Sequence, residues 1–175
     1  MKKMVFILFI AFYACKSSIM IQEPISVNSN SCNNGTCTIE FIPNKTLTFK
    51  KDNIGILYPE ITEGTKTILK YTYKKTSATN AQDSNYTEII LAELPNEIKD
   101  IALSNNNLQT IKLHFGRLCY CKGETGYFPV TEGNFKLVQT SKNSFEIKTN
   151  FTIHEVPQII SEINDTILLK SNESN

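Results

Sequence analysis

The tightest constraint on how this chain can fold is an alternation of period two. Between Phe145 and Ile153, the residues Phe145, Ile147, Thr149, Phe151 and Ile153 fall on one side, and Glu146, Lys148, Asn150 and Thr152 on the other. Successive side chains of a strand point to opposite faces, so this spacing predicts a half-buried strand. The same alternation runs through Cys37, Ile39 and Phe41, through Leu69, Tyr71 and Tyr73, and through Ile111, Leu113 and Phe115. β-Branched and aromatic residues, which suit a pleated surface, recur throughout. Residues 135–138 should pair with the strand that follows Ser144, across the turn residues 141–144. Residues 69–73 and 86–94 should form a longer hairpin around the polar run 75–85. Two stretches, 95–103 and 157–163, carry apolar residues at helical spacing but are too short for more than single turns. The expected fold is all-β: a single antiparallel β-sandwich or barrel-like domain with at most short helical turns.

Charge and motif content narrow the function classes. Of 18 basic residues, Lys2 and Lys3 lie in the leading segment, which leaves 16 against 17 acidic residues in the rest of the chain. That balance provides no basic footprint for nucleic acid. The chain has two histidines, His114 and His154, and both are expected at the surface. No Gly-x-Ser-x-Gly elbow is present, and Gly123-Glu124-Thr125-Gly126 lacks the lysine of a phosphate loop. Glu88 and Glu93 fall on opposite faces of one strand and so do not form a carboxylate pair. No catalytic, cofactor-binding or metal-binding residue is assigned. An enzyme built on this chain would draw on Arg117, His114 and Glu124.

Five cysteines are present, and Cys15 stands apart from Cys32, Cys37, Cys119 and Cys121. An even set of four in an oxidising compartment argues for two disulfides. Cys119 and Cys121 share a face if their strand is extended, and a local Cys32–Cys37 bridge would leave them only each other. Two long-range bridges between the 32–37 turn and the 119–121 strand are therefore expected, with partners unassigned. Four thiolates would suffice for zinc, but neither half has the Cys-x-x-Cys spacing of a zinc knuckle, which is also the spacing of a redox pair.

The most distinctive segment is residues 114–130, His-Phe-Gly-Arg-Leu-Cys-Tyr-Cys-Lys-Gly-Glu-Thr-Gly-Tyr-Phe-Pro-Val. Gly123 and Gly126 suit a turn, and Pro129 places the following strand at an edge or after a bulge. Arg117, Tyr120, Tyr127 and Phe128 are the candidates for a recognition surface, since aromatic rings and guanidinium groups are favoured contact residues. The alternative is structural, with the aromatics covering a disulfide and Arg117 partly buried beside a carboxylate.

The chain begins with Lys2 and Lys3, an uncharged run from Met4 to Ala14, and then Cys15. A positive head and a short apolar run have the form of an export signal, and the run is shorter than the roughly 20 residues of a membrane-spanning helix. Ala14-Cys15 resembles the lipobox of bacterial lipoproteins, which places signal cleavage after residue 14 and lipid attachment on Cys15. Residues 15–31 read as a polar tether, 32–169 as the β-rich domain and 170–175 as a polar tail. A soluble secreted protein and an uncleaved anchor are the alternatives.

Together with the Asn-, Ile-, Lys- and Thr-rich composition and the segment from Phe115 to Val130 followed by Glu155-Val156-Pro157-Gln158, this start resembles the small exported lipoproteins of Bacteroidota, particularly of flavobacteria. The resemblance implies a membrane anchor through Cys15. Lys16-Ser17-Ser18 in place of acidic residues favours the periplasmic side of the outer membrane over the cell surface. The expected function is a noncatalytic envelope lipoprotein that binds or stabilises another envelope component. The rival reading is a carrier that holds a small apolar ligand in a barrel or sandwich cavity.

Overall fold

The computed structural model describes residues 19–29, 32–76, 85–141 and 143–169. The signal segment, Cys15, the tip of the 75–85 loop and the tail lie outside the described residues. Among those described, the chain forms thirteen strands and one 3-10 helix, arranged as an all-β, sandwich-like domain.

The larger sheet is antiparallel, in the order β10 (Gly126–Pro129), β9 (His114–Cys119), β6 (Tyr86–Pro95), β5 (Lys66–Lys75), β3 (Gly35–Lys51) and β2 (Ile25–Asn28). The smaller sheet runs β13 (Glu162–Leu168), β12 (Ser144–Phe151), β11 (Gly133–Ser141) and β8 (Ile101–Ser104). Both expected hairpins form, β5 with β6 and β11 with β12. The predicted inward residues bury together: Ile39, Phe41, Tyr71 and Tyr73 from one sheet meet Phe135, Phe145, Ile147 and Phe151 from the other. Phe41 stacks on Phe145, and Phe115 tilts against Phe151, so aromatic rings bridge the two layers.

A second, smaller core lies on the outer face of the larger sheet. β3 has seventeen residues, and at its middle the buried Pro43 and the left-handed Asn44 (φ 58°) break the ladder with β5. Past this bend, β3 continues with β4 (Leu57–Glu63) as a hairpin. Leu47 from that hairpin packs with Ile68, Ile89, Leu91 and Tyr127. Lys112 and Glu93, themselves an ion pair at 2.9 Å, hold the Leu47 backbone. The Glu93 carboxylate accepts from its N–H at 2.8 Å and the Lys112 ammonium donates to its carbonyl at 2.7 Å.

Three expectations need correction. The 15–31 segment is not a free tether where it is described: Ile19–Met20 (β1) pairs with Glu97–Ile98 (β7), Ile21 is buried in the main core, and Ile25–Asn28 adds to β3. Apolar residues at 19, 21, 25 and 27 outweigh the Ser and Asn around them. Neither short helical stretch is a helix; residues 97–98 and 101–104 are strands, β13 starts at Glu162, and the helix lies at Asn105–Ile111. The long-range disulfides also do not form. β3 and β9 are three strand steps apart in the sheet, about 14 Å at the usual spacing, twice the reach of a disulfide. The bridges are local, Cys32–Cys37 and Cys119–Cys121, with Cα atoms 5.7 and 5.2 Å apart. Two neighbouring cysteines can bond at 119 and 121 because β9 ends at Cys119 and the chain bends at Tyr120. The sulfurs therefore form two separate pairs, not a four-thiolate cluster.

Candidate functional site

The turn between β9 and β10 is built from the chemistry of its own residues. Cys121, Lys122, Gly123 and Glu124 form a tight turn in which the Glu124 N–H donates to the Cys121 carbonyl at 3.2 Å. Gly123 has φ 78°, a left-handed conformation that glycine adopts without steric cost. The Thr125 hydroxyl donates to the Arg117 carbonyl at 3.0 Å. Tyr120, between the two bridged cysteines, is 86% exposed and Leu118 is also exposed.

Arg117 braces this turn from inside. Its guanidinium donates to the Glu124 carboxylate at 2.5 Å and to the Glu124 carbonyl at 3.2 Å. Its Nε donates to the Tyr86 hydroxyl at 3.2 Å, and the guanidinium carbon lies 5.4 Å from the Tyr86 ring centre. Tyr86 in turn donates to Glu88 at 2.5 Å. Burial, then the bond to Glu88, push the Tyr86 hydroxyl up to about 12 against the opposing pull of Arg117. Glu88 is fully buried, and its two oxygens accept from the backbone N–H groups of Ile159 and Ile160 at 2.6 and 2.7 Å. The chain Glu124, Arg117, Tyr86, Glu88 thus ties the exposed turn to the 152–161 loop that enters the smaller sheet.

A second exposed tip lies at the same end of the sheet. In the β3–β4 hairpin, the Asp52 carboxylate accepts from the N–H groups of Ile54 and Ile56 at 2.9 and 2.8 Å. This local cap presents Ile54, which is 80% exposed. A methyl group added at Gly126 would stand 2.9 Å from the Ile56 side chain, so the tip sits against the start of β10. Gly126 is the register partner of Arg117, three residues before Tyr120.

The structure divides the four predicted recognition residues. Tyr120 is on the surface. Arg117 is buried beside a carboxylate, as the structural reading had it. Tyr127 is buried on the opposite face of the sheet, where its ring lies over Gly116; a Cβ there would come within 2.5 Å of the ring. Phe128 is half-buried and packs against the main core. The quartet is therefore not one surface. Pro129 is the last residue of β10, the edge strand of the larger sheet; the strand that follows it, β11, lies inside the smaller sheet between β12 and β8, not at the edge expected for it.

The histidines separate as well. His154 is exposed as expected and lies 3.0 Å from Glu132; its hydrogen bond with that carboxylate, then the charge, raise its pKa. His114 is buried, contrary to expectation. The bent β3 hairpin brings Phe49 flat against it, with ring centres 3.6 Å apart, and the His114 Nδ1 bonds the Lys112 carbonyl at 2.8 Å. Burial lowers its pKa, partly offset by that bond. His114 and Arg117 are three residues apart on β9 and so face opposite sides; the trio Arg117, His114 and Glu124 does not meet in one site.

Sequence reasoning missed Glu88 and Ile54. Glu88 is in phase with Tyr86, Ile90, Ala92 and Leu94, so its period-two position already marked it as inward-facing. Asp52-Asn53-Ile54-Gly55 had the composition of a turn carrying one apolar side chain. Comparison with protein-family models, with curated proteins and with solved structures finds no match.

Proposed function

We propose that this chain is a noncatalytic envelope lipoprotein, anchored through Cys15, whose β-sandwich presents two braced tips to a protein partner. The observation that carries this reading is Tyr120, 86% exposed at the apex of a turn held by a disulfide and by the Arg117–Glu124 pair. Ile54, exposed on a carboxylate-capped tip at the same end, extends the surface. Large side chains on turns that are already ordered lose little conformational freedom on binding, which favours their use as contacts. Arg117 serves this surface by positioning the turn rather than by touching the partner. The large aromatic side chains Phe41, Phe115, Phe135 and Phe145 fill the space between the sheets, which favours a surface-binding reading over a ligand carried inside.

The test uses Tyr120→Ala combined with Ile54→Ser in the full chain. Partner capture by cross-linking in isolated envelopes should fall by roughly tenfold or more, with thermal stability unchanged. Retained capture by the stable double variant would reject the surface. Cys15→Ser should move the protein from the membrane to the soluble fraction.

A further inference from the structure

The chain enters the described fold at one end of the larger sheet and exposes Tyr120 at the other. β1 pairs with β7, which begins two residues after Pro95, the last residue of β6. At the opposite end of β6, Tyr86 is the register partner of Cys119. The ten residues of β6 separate these ends by about 30 Å. Cys15 precedes Ile19 by four residues, so their Cα atoms are at most about 14 Å apart whatever path the chain takes.

Where the chain enters, a groove of about 460 Å³ opens between the edge strands β2 and β13. Met20, Ile25, Val27, Leu168 and Leu169 form its apolar part, and Gln22, Glu23 and Ser26 its polar part. Met20 is 57% and Leu168 70% exposed, two large apolar side chains on a rim with no described neighbour covering them.

Resting on the Cys15 anchor proposed above, we infer that this rim is a membrane-contacting face. The occupant is the interfacial zone of the bilayer that holds the Cys15 lipid. A connection of at most about 14 Å keeps the domain beside the headgroups, and the end nearest Cys15 is the one bearing Met20 and Leu168. Burying their exposed area in the interface adds apolar contact to that of the acyl chains. The same geometry stands the Tyr120 and Ile54 tips upright, about 30 Å beyond the rim.

Hydrogen exchange on the lipidated full chain, bound to vesicles of phosphatidylethanolamine with a minor share of phosphatidylglycerol, tests this against the unlipidated Cys15→Ser protein in solution. Amides of residues 20–22 and 168–169 should slow by about fivefold or more on the membrane, and those of 53–55 and 120–123 should not change. A lipidated Met20→Ser, Leu168→Ser variant should stay bound and lose the protection. Acylated, bound protein with no slowing at the rim, or with slowing at the Tyr120 end, overturns the orientation alone. A mass without acyl chains on Cys15 overturns the anchor and the orientation together.

Discussion

His114 lies flat against Phe49, in a strand that also buries Phe115 and Gly116, and among the described residues its hydrogen-bond partner is the Lys112 backbone carbonyl. A carbonyl can only accept, so the imidazole holds its proton on Nδ1. Burial makes the second proton costly and depresses the pKa below the usual 6.5. A depressed pKa contributes stability that is present above pH 6.5 and is lost as pH falls through the folded-state value, because the unfolded chain then binds the extra proton more readily. His114→Phe keeps an aromatic ring on Phe49 and removes the titration. Its stability deficit in urea unfolding should shrink between pH 7.5 and pH 5, by about 1.4 kcal/mol for each unit of depression. A gap that stays constant over that range would assign His114 no part in the acid limb. The residue was misread in sequence for a specific reason. Alternation placed it correctly on the face opposite Phe115, but the cover over that face comes from a hairpin more than fifty residues earlier in the chain.

Among the elements, those with a single wet face were legible, and those that bend or cross were not. β12 and the first half of β3 alternate cleanly and bury the residues their phase assigned. The second half of β3 was invisible because nothing local says that a strand, after Pro43 and Asn44, will turn onto the outer face of its own sheet. The cysteines failed for the same reason, since their pairing depends on strand order rather than on spacing. The local Cys119–Cys121 bridge closes a ring of only a few residues, and its stabilisation in the chain-entropy model is roughly 1–2 kcal/mol, well below that of an 80-residue loop. A Cys119→Ser, Cys121→Ser protein should therefore stay folded, with at most about that loss in chemical denaturation. Proteolysis without reduction should release Cys32 and Cys37 in one linked species and Cys119 and Cys121 in another. A peptide linking the two regions would contradict the strand order.

At the scale of the whole molecule, the fold class and both long hairpins were readable from period two and turn composition. The candidate site was readable only as a segment. Residues 114–130 stood out, yet Tyr127 and Phe128 went into packing, and the surface gained Ile54 from a distant hairpin. Exposure is set by which layers cover which, and that is a property of the assembled sheets. The N-terminal strands carry a further consequence. β2 lies along residues Thr38–Phe41 of β3, with Ser29 hydrogen-bonded to Asp165 of the other sheet at 2.6 Å. A chain lacking residues 1–28 would bare that row of N–H and C=O groups on a long strand, a ready template for another strand. Such a protein should form dimers or larger species in light scattering at concentrations where the full chain is monomeric. A monodisperse truncated monomer would show that β3 needs no cover. Four residues, Ile25–Asn28, thus act as a selvage: they leave the sheet a short border in place of a long one.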